Sequence, residues 1–158
     1  MSTGRRMAAC AAFLTLAIAL QAQTPSGKPA PRDDSEARPP VTKAEVQIVQ
    51  RAQEILDSPS KWNRADTRVC PGDAKNFSLY CALEKATRDV TGQFEHRGAA
   101  MQEARFVIEE VAPGWRKYHH RLMDYNNDPA TTFADIQRVL RLLGERISKR
   151  LAADSSGH

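Results

Sequence analysis

Apolar residues recur with helical spacing through most of the chain from residue 42 onward. A first helix is predicted to begin at the capping-box sequence Thr42-Lys43-Ala44-Glu45 and to end before Asp57-Ser58-Pro59. Its inward face would carry Val46, Val49, Ala52, Ile55 and Leu56. This segment therefore reads as an amphipathic helix that covers a core.

Two further helices are predicted in the middle of the chain. Asp73 is a candidate N-cap for the second, whose apolar positions run from Phe77 to Val90 before Thr91-Gly92 ends it. The third runs from about Glu95 to Val111 and closes at Pro113-Gly114. Residues 115–123 have helical spacing, but the segment is too short to assign.

The last predicted helix has the clearest apolar stripe in the chain. It begins at Thr132-Phe133-Ala134-Asp135, a second capping-box-like sequence. The stripe consists of Phe133, Ile136, Val139, Leu140, Leu143, Ile147 and Leu151. No stretch alternates as a strand does, so we predict an all-α fold, a compact bundle of four to five helices.

The first 22 residues resemble a cleaved export signal. Arg5-Arg6 precedes an apolar run over residues 7–20, and a peptidase site follows at Ala22. About 13 apolar residues are too few to cross a bilayer core that needs about 20, so the mature chain has no predicted transmembrane segment. We expect a periplasmic or extracellular protein. The paired arginines leave the general secretion and twin-arginine routes both open.

The predicted domain order follows from composition. Residues 23–41 are rich in proline and mixed charge and read as a disordered linker. The helical domain would then span residues 42–151, and residues 152–158 would form a flexible tail.

Signal cleavage changes the charge of the chain. The full sequence has 23 basic and 19 acidic residues, and the loss of Arg5 and Arg6 leaves 21 against 19, a net charge of +2 instead of +4. This small excess is weak support for nucleic-acid binding, so no nucleic-acid partner is predicted.

Cysteine usage is consistent with export. Cys10 leaves with the signal, and the mature chain keeps Cys70 and Cys81. In an oxidising compartment an isolated pair is most simply a disulfide. The alternative is a small buried Cys81 and a free thiol at Cys70. The spacing is not that of a zinc site.

The candidate binding segment lies between the third and last helices. Residues 115–121 mix bases with aromatic side chains, as phosphate-binding surfaces do. The residues selected as candidates are Trp115, Tyr118, His119, His120, Asp124, Asn127 and Asp128. The partner would be an unidentified envelope protein, or an anionic envelope polymer or lipid headgroup, and the alternative is a solvated polar face.

Residues 124–135 place oxygen-bearing side chains at positions resembling those of a calcium-binding loop. The glycine required at the sixth position is replaced by Pro129, whose ring fixes φ near −65°. We therefore expect Asn126, Asn127 and Asp128 to form a structural turn before the last helix.

A second hypothesis is a small periplasmic hydrolase or metal-dependent enzyme. It would use side chains from His96, His119, His120, Asp124 and Asp128. A cleft that gathers three of these would favour an enzyme, and scatter over separate faces would favour binding. The spacing shows no convergence, so no catalytic residue, metal ligand set or cofactor is predicted, and a non-enzymatic binding module is preferred.

Three sequence features together resemble a bacterial helical family known only as a domain of unknown function. They are Trp62, the helix sequence Ser78-Leu-Tyr-Cys-Ala-Leu83, and the Tyr125-Asn-Asn-Asp-Pro129 turn before the last helix. The resemblance covers about residues 44–148. The chain departs from the family pattern at Glu84-Lys-Ala86 and at Tyr125, where tryptophan is common. Membership implies an all-helical fold and no known activity.

Overall fold

A computed structural model describes residues 38–156. The predicted signal peptide at residues 1–22, the linker up to residue 37 and the last two residues lie outside this part of the chain. The described residues form five α-helices and two 3₁₀ turns. The helices are α1 (Lys43–Ile55), α2 (Leu79–Thr91), α3 (Ala99–Val111), α4 (Arg121–Asn127) and α5 (Phe133–Ser156), and the turns are Pro59–Lys61 and Trp115–Lys117.

The predicted all-α class is confirmed. Between residues 38 and 156 no strand forms, and the sole β-type pairing there is an isolated bridge between Trp62 and Phe77. The predicted ambiguity of residues 115–123 resolves into one 3₁₀ turn and the start of α4.

Local capping explains where α1 and α5 begin. The Oγ1 of Thr42 accepts the Ala44 N–H at 3.2 Å, and the Glu45 carboxylate accepts the Thr42 N–H at 2.8 Å. Thr132 and Asp135 repeat this reciprocal arrangement at α5, with distances of 2.9 and 3.3 Å. Each pair satisfies backbone donors that a helix start leaves without partners.

Two predicted helix starts were wrong. The second helix is capped by Ser78 and not by Asp73, because Phe77 is held in an extended conformation when its N–H donates to the Lys61 carbonyl at 2.7 Å. The third helix begins at Ala99, after Gly98, instead of near Glu95. The predicted stop of α2 is confirmed, since Gly92 adopts the left-handed conformation with φ of 80°.

The core lies where α1 packs against α2 and α5, and where α3 packs against α5. The α5 stripe faces it as predicted: Ile136, Val139, Leu140, Leu143 and Ile147 are all 0% exposed.

The folded unit extends beyond the predicted limits at both ends. Val41, assigned to the linker, is 5% exposed and belongs to the core. The Pro39 carbonyl accepts a hydrogen bond from Arg150 at 2.7 Å. Arg150 also contacts the fully buried Glu103 at 2.7 Å, which ties the start of this unit to α3 and α5. The last helix continues to Ser156, five residues beyond its predicted end at 151.

The predicted disulfide is confirmed. The sulfur atoms of Cys70 and Cys81 are bonded, which links the segment before α2 to the first turn of that helix. None of the helices within residues 38–156 is long and apolar enough to span a bilayer.

Candidate anion-binding site

A pocket of about 230 Å³ is lined by residues of α2, α3, α4 and the segments before α2, α3 and α4. It is lined by Arg68, Tyr80, His96, Arg97, Gln102, Arg105, Phe106, His119, His120, Arg121, Leu122 and Met123. These residues come from the segment before α2, from α2 itself, from the α2–α3 connection, from α3, and from the segment before α4 together with the first turn of α4. The pocket is therefore assembled by tertiary packing.

Its lining is strongly cationic. Four arginines and three histidines line the pocket, and the lining residues include no aspartate or glutamate. The charge of Arg121 is partly offset by Glu109, whose carboxylate lies 2.5 Å from its guanidinium. The remaining arginines give the pocket a positive potential that favours an anion.

A histidine and a glutamine, and not a carboxylate, hold Arg105, since its Nη1 donates to Oε1 of Gln102. Its Nη2 lies 3.1 Å from Nε2 of His96 and donates to the His96 carbonyl at 3.2 Å. Because a guanidinium has only donors, Nε2 must accept, and the neutral ring carries its proton on Nδ1. That nitrogen lies 3.4 Å from the Tyr80 hydroxyl.

A similar contact is made by Arg68. Nη1 of Arg68 lies 3.3 Å from Nδ1 of His120, so this imidazole also accepts from an arginine. A neutral imidazole orients a guanidinium without cancelling its charge. Arg68 and Arg105 therefore each contact an imidazole that leaves the guanidinium charge in place.

The pKa values agree with an uncompensated positive charge. The pKa of Arg105 is lowered to about 10, first by burial and then by Arg121. Burial, followed by the charges of Arg105 and Arg68, also lowers the pKa of His96. Both shifts disfavour additional positive charge in the pocket, and a bound anion would relieve that cost.

The structure separates the seven residues proposed from the sequence. His119 and His120 line the pocket. Trp115 lies beside it, with the Arg121 guanidinium 5.2 Å from its ring centroid. The other four do not line the pocket. Oδ2 of Asp124 accepts the His120 N–H at 2.8 Å at the start of α4, and the Tyr118 hydroxyl donates to Asp128.

Asp128 stabilises the turn that follows α4. Its carboxylate accepts the Tyr118 hydroxyl at 2.9 Å, the Lys117 ammonium at 3.1 Å and the Ala130 N–H at 3.0 Å. The Ala130 N–H, followed by Tyr118 and Lys117, lowers the pKa of Asp128. Burial and this carboxylate raise the pKa of Tyr118 to about 12.

The side-chain oxygens of the sequence that resembles a calcium-binding loop each make hydrogen bonds in a different part of the fold. Asp124 caps the start of α4, Asp128 binds the following turn and Asp135 caps α5. Asn127 pairs with the backbone of Asp66, which lies before α2: its amide accepts and donates one hydrogen bond, each at 2.8 Å. Asn126 and Asn127 end α4 instead of forming the predicted turn, which begins at Asp128, and the contacts of this segment are structural.

Three of the five residues of the enzyme hypothesis lie at one pocket and two do not. His96, His119 and His120 line the same pocket, whereas Asp124 and Asp128 make the backbone contacts given above. Within residues 38–156 no three His, Cys, Asp or Glu side chains are grouped so that they could hold a metal ion.

Sequence reasoning missed the arginines and Tyr80. Arg105 could have been found from the sequence, because it lies four residues after Met101 and three before Ile108 and so interrupts the apolar face of α3. No pattern in the sequence marks Arg68 or Tyr80 as a site residue. Arg68 follows an irregular segment, and Tyr80 has the spacing of a core position of α2. Only long-range packing brings them to the histidines.

Comparison with known proteins identifies the family. The model of the family of unknown function DUF6197 matches residues 39–146, so the chain belongs to that family, and the resemblance to a family of unknown function is confirmed. Neither the curated proteins nor the solved structures contain a match to this chain.

Proposed function

We propose that this chain is an exported, non-enzymatic binding module of the cell envelope that captures an anionic group of its partner in the arginine–histidine pocket. The proposal of export rests on Arg5-Arg6 and the apolar run after them, and the Cys70–Cys81 disulfide is compatible with an oxidising compartment. The pocket itself supplies the binding chemistry.

One observation carries the binding proposal: Arg68 and Arg105 contact histidine rings and not carboxylates, so neither guanidinium charge is cancelled by an ion pair at the pocket. A guanidinium fits the oxygens of a phosphate or carboxylate with two parallel hydrogen bonds. The volume of about 230 Å³ is below the range of about 300–1,000 Å³ that is usual for whole small-molecule ligands. A charged end group of a larger envelope polymer or protein is the better match.

The test is a calorimetric titration of the purified protein with inorganic phosphate, glycerol 3-phosphate, acetate and glycerol. We expect the anions to bind and glycerol not to bind. Arg105→Gln should weaken phosphate binding about tenfold, the loss of one charge-assisted hydrogen bond. Arg141→Gln is the matched control, because Arg141 is exposed on α5 and pairs there with Glu145.

Equal phosphate affinity in the two variants would contradict the proposal. If Arg105→Gln does not fold, Arg97→Gln is the alternative test, since Arg97 is exposed and lines the same pocket. It should also weaken phosphate binding. Each variant is titrated only after circular dichroism shows wild-type helical content.

The three histidines support a second candidate, a small hydrolase acting on phosphate esters. His96, His119 and His120 around one pocket are groups of the type that general acid–base catalysis uses. The binding module is preferred because His96 and His120 each accept a hydrogen bond from an arginine. Release of nitrophenolate from p-nitrophenyl phosphate, abolished by His119→Gln, would replace the binding proposal with the hydrolase.

A further inference from the structure

Arg68 reaches the pocket from a backbone conformation that side chains rarely adopt. Its φ of 60° lies in the left-handed region, and it is the single non-glycine residue with positive φ between residues 38 and 156. Such a conformation persists only where the surrounding structure holds it.

We propose that Arg68 contacts the bound anion directly, and that Asp66 and the Cys70–Cys81 disulfide are positioning elements that hold it at the pocket. This inference rests on the proposed anion-binding function. It adds that the affinity for the anion depends on the disulfide, which does not itself contact the anion.

The chain is fixed immediately before Arg68. Oδ1 of Asp66 accepts the Arg68 N–H at 2.7 Å, and Asp66 is 5% exposed. The backbone of Asp66 is itself bound by the side-chain amide of Asn127 through two hydrogen bonds of 2.8 Å. These contacts connect Arg68 to the end of α4, the helix that begins beside His120.

The chain is fixed again immediately after Arg68. Cys70 follows two residues later and is bonded to Cys81 in the first turn of α2. The neighbour of Cys81 is Tyr80, which lines the pocket and contacts His96. The disulfide therefore joins the segment that carries Arg68 to the wall of the pocket that holds Arg105.

Reduction would remove one of these two anchors. A dithiol reductant such as dithiothreitol supplies two electrons and two protons, the sulfur–sulfur bond becomes two thiols, and the reductant is oxidised to its cyclic disulfide. The segment around residue 68 could then relax out of the left-handed region. The guanidinium would move away from His120, and its contribution to anion binding would be lost.

The experiment measures phosphate affinity in a set of variants that can be compared in pairs. Arg68→Gln should weaken binding about tenfold. The double variant Cys70→Ser/Cys81→Ser should weaken it by a similar factor. Adding Arg68→Gln to that double variant should cause no further loss, because the disulfide acts through Arg68. Arg141→Gln again serves as the control.

If Cys70→Ser/Cys81→Ser does not fold, Asp66→Ala tests the inference instead, because this substitution leaves the disulfide intact. It should weaken phosphate binding in the wild-type background and have no effect on affinity in the Arg68→Gln background. In both backgrounds it should lower the melting temperature, a structural effect that does not depend on Arg68.

The outcomes separate this inference from the proposed function. If wild type binds phosphate, Arg68→Gln binds it equally well and Arg105→Gln binds it more weakly, the role of Arg68 is refuted and anion binding by the rest of the pocket stands. If the losses of phosphate affinity caused by Arg68→Gln and by Cys70→Ser/Cys81→Ser or Asp66→Ala are additive, the proposed positioning of Arg68 by the disulfide or by Asp66 is refuted. If wild type binds no anion, the proposed function itself fails.

Discussion

The indole N–H of Trp62 donates a 2.8 Å hydrogen bond to Oδ1 of Asn126, across 64 positions of sequence. The same oxygen accepts the Leu79 N–H at 3.0 Å, and the amide nitrogen donates to the Asn63 carbonyl at 3.0 Å. Asn126 is 0% exposed. One side-chain amide thus joins α4 to both ends of the segment that carries Arg68.

Asn126→Ala should therefore destabilise the protein strongly. The change leaves a partly buried indole N–H, the buried N–H of Leu79 and a carbonyl without their partner, and we expect a loss of about 2–5 kcal/mol in the free energy of unfolding. Urea unfolding measures this loss. Asn76→Ala, at an exposed position of the same segment, should change stability by less than about 0.5 kcal/mol, and equal losses at the two positions would contradict the role of Asn126.

The α5 stripe gives a prediction about the core. Leu143→Ala and Leu140→Ala each remove a fully buried side chain and leave a cavity, at a cost of about 2–5 kcal/mol in unfolding free energy. Leu142→Ala is the control on the same helix, since Leu142 is only partly buried. Either core variant unfolding at the wild-type urea midpoint would show that the stripe does not face the core.

His96 gives the protein a dependence on pH whose sign follows from its lowered pKa. The folded state disfavours the imidazolium, so the unfolded chain binds more protons once the pH falls below a histidine's ordinary value of about 6.5. The stabilising contribution of neutral His96 is present above that pH and is lost as the pH falls through the folded pKa.

The measurement is urea unfolding of wild type and His96→Gln in phosphate-free buffer from neutral to acidic pH. Glutamine does not titrate, so wild type should lose stability relative to the variant as the pH falls. A difference between the two proteins that stays constant over this range would contradict the proposed role of neutral His96.

Asp128 tests whether the turn after α4 is structural. Asp128→Ala removes the acceptor of the Ala130 N–H and the partner of Tyr118, and should cost about 0.5–2 kcal/mol in unfolding free energy, as a lost cap does. Calcium should change the melting temperature of neither protein. A calcium-dependent rise in wild type that the variant and a chelator abolish would make the turn a metal site.

Sequence alone could predict what local signals determine. The helices α1 and α5 have capping pairs three residues apart and a continuous apolar stripe, so their starts needed no tertiary information. The start of α2 was misplaced because the extended conformation of Phe77 depends on Lys61, which lies far back in the chain.

The candidate site was only partly predictable for the same reason. His119 and His120 could be found because they are adjacent and lie in a basic, aromatic segment. The partner that orients Arg68 is distant in sequence, since Arg68 and His120 are 52 positions apart, whereas Arg105 and its partner His96 are 9 positions apart. A position that reads as a turn residue, Asn126, is instead fully buried.

The central claim is that the pocket binds an anion through Arg68 and Arg105. The most direct measurement follows the guanidinium Nε–H signals in ¹H–¹⁵N spectra during titration with inorganic phosphate at constant ionic strength. We expect the signals of Arg68 and Arg105 to shift and saturate together, while that of Arg141 stays in place. Signals that do not move, or an equal and non-saturating shift at Arg141, would contradict the claim.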